Sequence, residues 1–92
     1  MKQITTQNHT YEIIRDERDA FQMEEFENRY TDYFYDYDYI LGDWAYGKLR
    51  LKGFYDSKNE NVKEINNFQK VDEYIKVACA FECKHFILKK IN

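Results

Sequence analysis

The 92 residues, 18% of them aromatic and none of them proline, carry a net charge of −3 and suffice for one domain with one core. Glycine is scarce (Gly42, Gly47 and Gly53), which excludes a linker or a low-complexity segment. The mild acidity argues against loose coating of nucleic acid, and no stretch nears the ~20 apolar residues of a membrane span.

The N-terminus, MKQITTQNHTYEIIRDER, lacks the apolar core of a secretion signal, so a soluble cytoplasmic protein with reduced cysteines is expected. Lys2–Thr6 reads as a weak strand, and Gln7-Asn8-His9 as a turn. Thr10–Arg15 is a stronger strand, with Tyr11 and Ile13 on one face and Glu12 and Ile14 on the other. Asp19 and Gln22 have the spacing of a capping box, and Phe26, Tyr30 and Tyr33 recur at helical spacing. The spacing predicts a helix over Ala20–Tyr33.

Tyr37–Leu41 is the third predicted strand. Gly42 and Gly47 bracket Asp43-Trp44-Ala45-Tyr46 as a long hairpin loop, and Lys48–Tyr55 alternates as the returning strand. Leu49 and Leu51 point inward there, while Lys48, Arg50 and Lys52 point to the opposite face. Asp56–Asn61 is a polar segment expected to be flexible. Asn66 with Gln69 suggests a second capping box, opening a helix over Asn67–Cys79 along Phe68, Val71, Tyr74, Ile75 and Ala78. Lys84–Ile91 is the last strand, with Phe86 and Leu88 on one face. The order β-β-α-β-β-α-β predicts a single α+β domain over residues 1–92, a mostly antiparallel sheet of about five strands with two helices.

The segment Tyr37-Asp-Tyr-Ile-Leu-Gly42-Asp-Trp-Ala-Tyr-Gly47-Lys-Leu-Arg-Leu-Lys-Gly53-Phe resembles the signature of the YutD-like family of Gram-positive bacteria. The ending Ala78-Cys79-Ala-Phe-Glu-Cys83-Lys-His-Phe-Ile-Leu-Lys-Lys resembles it too. The resemblance runs from the Tyr11 strand to Lys90. It implies a small cytoplasmic α/β sandwich, and it transfers no catalytic residue. The chain departs from the pattern in its tyrosine density between Tyr30 and Tyr39, and in Glu82 where a glycine is expected.

Charge is divided unevenly. Residues 16–46 hold ten acids against Arg18 and Arg29, whereas 47–55 hold Lys48, Arg50 and Lys52 with no acid. Those three cations stand roughly 6–7 Å apart along one strand face. With Trp44, Tyr46 and Tyr55 nearby they suit a single-stranded nucleic acid or an acidic protein; the plain alternative is a solvated strand face. Trp44 is read either as an exposed anchor for a partner or as a plug for the open end of the sheet. The acids Asp32, Asp36, Asp38 and Asp43 lack the glycine and terminal glutamate of a calcium loop. Cys79 and Cys83, with His85, fall short of a structural zinc set and are read as structural thiols.

The favoured expectation is a binding module that docks a macromolecule, protein or RNA, through Asp43, Trp44, Tyr46, Lys48, Arg50 and Lys52. No cofactor, metal or small-molecule ligand is expected. The rival is a small enzyme using Asp43 as a general base beside Arg50 in an aromatic cleft.

Overall fold

The computed structural model describes residues 2–78 and 83–91. Five strands form one antiparallel sheet: β1 (Gln3–Thr6), β2 (His9–Glu17), β3 (Tyr39–Ala45), β4 (Lys48–Phe54) and β5 (His85–Lys90). Their order is β1-β2-β5-β3-β4, so the last strand of the chain is the middle strand of the sheet. It joins the two hairpins β1-β2 and β3-β4. Its apolar run follows from that position, because both faces of a central strand are covered.

Helix α1 (Met23–Arg29) lies on one face and α2 (Val71–Ala78) on the other. The alternation of the strands sorts their side chains between two cores. Ile40, Leu49, Phe86 and Leu88 join Phe26 of α1, whereas Leu41, Phe54 and Ile87 join Val71 of α2. The result is the α+β class expected from the element order. Arg15 of β2 reaches Asp72 of α2 at 2.9 Å, and the ring of Tyr39 stacks on Phe68 with centroids 3.6 Å apart.

Helix α1 is shorter than its periodicity predicts, and α2 begins later than predicted. Arg18 and Asp19 adopt positive φ (61° and 54°), so Asp19 cannot hold the extended backbone of an N-cap. The cap is Gln22, at φ −132°, and its side chain makes no capping bond. The helix stops at Arg29 because Tyr30 turns extended. That turn buries its hydroxyl 2.6 Å from the Tyr11 hydroxyl. A single turn of 3-10 helix follows at Asp32–Phe34. The rings of Phe26, Tyr30 and Phe34 still meet in one row across the break, with centroids 5.1 and 6.2 Å apart, whereas Tyr33, which the helical spacing had placed in that row, is exposed.

The second helix is opened by Asn67 rather than Asn66. Its side chain accepts from the Gln69 N–H at 3.0 Å, and a 3-10 turn at Phe68–Lys70 leads into α2. The predicted end at Cys79, like the departure at Glu82, lies outside the described residues.

The loop at 56–61 is pinned, contrary to expectation. The Asp38 carboxylate accepts from the Asp56 N–H at 2.8 Å and from the Asn59 amide at 3.0 Å. The β3-β4 connection is also tighter than predicted. Strand β3 runs on through Asp43 and Trp44 to pair Ala45 with Lys48, so the turn is Tyr46-Gly47 alone. Both residues have positive φ, 53° and 75°, the signature of a type I′ hairpin.

Candidate functional site

The candidate residues gather at the β3-β4 end of the sheet. Strand β3 sends Ile40, Gly42 and Trp44 to the α1 face and Leu41 and Asp43 to the α2 face. Strand β4 follows in register: Trp44 pairs with Leu49, and Asp43 with Arg50. Leu49 is buried and Leu51 half-buried on the α1 side. Lys48, Arg50 and Lys52 therefore share the α2 side.

This register corrects one expectation. The indole of Trp44 does not join the cations; it lies across the sheet from them, half-buried. Its Nε1–H donates to the Ala20 carbonyl at 2.8 Å, and the Lys84 ammonium sits 5.4 Å from its ring. Extending β3 to Ala45 removed the loop that would have let the ring choose a side, and strict alternation then fixed it. Its half-burial and its bond to Ala20 fit the reading of Trp44 as a plug.

The cations differ from one another. Asp43 is buried at 5% exposure. Arg50 clasps both of its carboxylate oxygens, Nε to Oδ1 at 3.2 Å and Nη2 to Oδ2, and the same Nη2 reaches the Ala78 carbonyl at 3.3 Å. That hydrogen bond to Asp43 holds the guanidinium above its ordinary pKa. A carboxylate committed at both oxygens is poorly placed to take a proton from a substrate, which weighs against Asp43 as a base. Lys52 is half-buried, its ammonium 5.2 Å from the Phe54 ring and 5.3 Å from the Tyr74 ring. Lys48 is exposed.

Tyr46 is the most exposed large hydrophobic residue among the described residues, at 103%. It crowns the turn and lines a hollow of about 450 Å³ with Asp43, Trp44, Ala45, Arg50, Ala78 and Cys83. Beside Asp43 in the sheet stands His85, paired with it across β3 and β5. Its Nδ1–H donates to the Cys83 carbonyl at 3.1 Å, and its buried Nε2 makes no hydrogen bond. Cys83 is disulfide-bonded, contrary to the reduced thiol expected. That expectation rested on compartment, and compartment does not decide which sulfurs a fold brings within bonding reach. No group of three or more His, Cys, Asp or Glu among the described residues could hold a metal.

Two further residues escaped the sequence reading. Ile65 and Val77 are exposed at 72% and 89% and flank a second hollow of about 300 Å³, with Phe54 and Tyr74 behind them. The signal was present: Val77 falls off the buried stripe of α2 formed by Val71, Tyr74 and Ile75.

The chain matches the family model described as "Putative antitoxin YutD-like" over residues 5–89. It belongs to the YutD-like family. It is 44% identical over 89 residues to "Putative antitoxin YutD" of Bacillus subtilis (strain 168), covering 97% of this chain and 98% of that protein. The solution NMR structure of protein yutD from B. subtilis has the same fold, with TM-score 0.83, at 42% identity over 100% of this chain and 84% of that one. The sheet order and the two flanking helices are thus the YutD-like architecture. No helix among the described residues is long and apolar enough to cross a membrane.

Proposed function

We propose that this protein is an interaction module that restrains a protein partner by docking it at the β3-β4 hairpin end. The carrying observation is Tyr46. A tyrosine at φ 53° occupies a backbone region that costs an L-residue roughly 1–2 kcal/mol, in a turn position that favours asparagine, aspartate or glycine. Its side chain is wholly exposed. Strain combined with an exposed ring is what a contact residue looks like before its partner arrives. Lys48 beside it adds a cation at the rim, where charge steers encounter and orientation. The description of the family and of the B. subtilis relative as a putative antitoxin fits this reading, since an antitoxin acts on a partner it restrains.

The test separates folding from docking. Tyr46→Asn relieves the turn, so the urea midpoint is expected to rise, corresponding to about 0.5–1 kcal/mol. Binding of the cognate toxin, reconstituted as a purified pair, is expected to fall by about tenfold or more, the loss of a buried aromatic anchor. Unchanged binding by a stably folded Tyr46→Asn protein overturns the reading.

A further inference from the structure

The tyrosine-dense run and the polar loop after β4 meet at the opposite end of β4 from Tyr46. Gly53 lets them meet. A Cβ there would fall 2.3 Å from the Tyr37 ring, so a bare backbone is what allows that ring to lie against the strand. Tyr37 then contacts two further rings, Tyr55 with centroids 4.6 Å apart and Tyr33 with centroids 5.6 Å apart. Its hydroxyl donates to the Tyr33 hydroxyl at 3.1 Å.

A hollow of about 300 Å³ opens beside Tyr37 and Tyr55, walled also by Asn61, Lys63 and Asn66. Hydrogen bonds of the main chain hold that wall in place. The Tyr55 N–H donates to the Asn66 carbonyl at 2.8 Å, the Asn61 N–H to Asn59 Oδ1 at 2.8 Å, and the Lys63 N–H to Asn66 Oδ1 at 2.7 Å. The ends of the side chains stay uncommitted. The Asn61 amide, Asn66 Nδ2, the Tyr55 hydroxyl and the Lys63 ammonium have no hydrogen-bond or ion-pair partner among the described residues. Among those residues the lining offers ring surface, two amides and one cation, and no acid.

Each of these matches one part of a nucleotide. Bases stack on tyrosine rings. A side-chain amide sets a donor beside an acceptor, which suits the adjacent amino group and ring nitrogen of adenine. A lysine ammonium takes phosphate as a point charge. The volume lies at the small end of ligand pockets, which run from roughly 300 to 1,000 Å³, so it takes one base. The exposed acids Asp56 and Glu60 on the same loop would repel the further phosphates of a strand.

We infer that this hollow binds an adenine mononucleotide, with the base against Tyr37 and Tyr55, its edge read by Asn61 and its phosphate at Lys63. The site is separate from the hairpin end and does not rest on the docking reading.

The probe is adenosine monophosphate, titrated into the isotope-labelled full chain and followed by amide NMR signals. Saturable shifts are expected at the side-chain amides of Asn61 and Asn66 and at the Tyr55 and Lys63 N–H groups. Asn61→Ala and Lys63→Gln lie at exposed positions and should leave the urea midpoint unchanged. Asn61→Ala is expected to weaken binding by about tenfold. Lys63→Gln is expected to weaken the monophosphate by about fivefold and to leave adenosine, which has no phosphate, unaffected. No shift at millimolar nucleotide, shifts centred elsewhere, equal binding of ribose phosphate or full binding by Asn61→Ala overturns the site. Equal binding of guanosine monophosphate overturns the choice of adenine. A short adenine oligonucleotide that binds more than about tenfold tighter than the monophosphate overturns the mononucleotide and assigns the hollow to a strand.

Discussion

Two glycines set the packing of the α1 face, and they differ in what crowds them. A Cβ built on Gly42 falls 2.1 Å from the Phe86 ring, and one on Gly53 falls 2.3 Å from the Tyr37 ring. Phe86 is wholly buried between α1 and the central strands, whereas Tyr37 lies at the rim against Tyr55 and Tyr33. A rim ring yields more easily than one packed on all sides. Gly42→Ala is therefore expected to cost about 3 kcal/mol or to prevent folding, and Gly53→Ala about 1 kcal/mol, measured by urea denaturation. Equal costs would show that Tyr37 is held as rigidly as Phe86. In the sequence Gly42 was visible only as punctuation of a loop, and Gly53 only as a residue of the returning strand. Their role as sockets for rings on other elements depends on contacts at long range.

At the scale of elements, the clasp of Asp43 by Arg50 joins β3 to β4, and the bond from Arg50 to the Ala78 carbonyl ties both to the end of α2. Arg50 is half-exposed, its side chain at 51%, while Asp43 is buried, so the pair is asymmetric. Removing the arginine takes from a buried carboxylate the cation that holds both of its oxygens. Arg50→Ala is expected to destabilise by about 1–3 kcal/mol, below the cost for a fully buried pair because water reaches the guanidinium side. Adding Asp43→Asn to that variant should recover part of the loss, giving a coupling of about 1 kcal/mol in a double-mutant cycle. Additive losses would mean that the clasp contributes nothing as a pair. The alternation of Leu49 and Leu51 with Lys48, Arg50 and Lys52 was fully legible in the sequence, as was the α+β element order. Helix ends were not, because the ring row Phe26-Tyr30-Phe34 is shared by two separate turns that face one core.

For the whole molecule, the density of tyrosine couples stability to alkaline pH. The hydrogen bond it donates to Tyr33, with burial second, pushes the Tyr37 hydroxyl up to about 12. Burial first, then the hydroxyl pair, raises Tyr11 above the ordinary tyrosine value, and burial raises Tyr30, Tyr39 and Tyr74 as well. In each case the folded state holds its proton more tightly than the unfolded chain. That stabilisation is complete below the unfolded value of about 10 and is lost as pH rises through the folded values. The urea midpoint is expected to stay level to about pH 9 and to fall steeply between about pH 10 and 12. Tyrosinate absorbance should appear together with unfolding. A midpoint flat across that range would mean that these hydroxyls are not held in the fold.

The local chemistry of the chain determined its class and its patterning. Strand and helix periods, the turn at Gln7-Asn8 and the run of cations in β4 all depend on neighbours within a few residues, and so could be read directly. The site was decided elsewhere. Only the two-residue turn at Tyr46-Gly47 fixed which way β3 alternates at its end, sending Trp44 across the sheet from Arg50 and lifting Tyr46 into solvent. Only the sheet order made β5 the centre and β4 the edge. Both outcomes turn on which distant segments pair. A strand carries the same residues whether it lies between two neighbours or at the end of the sheet.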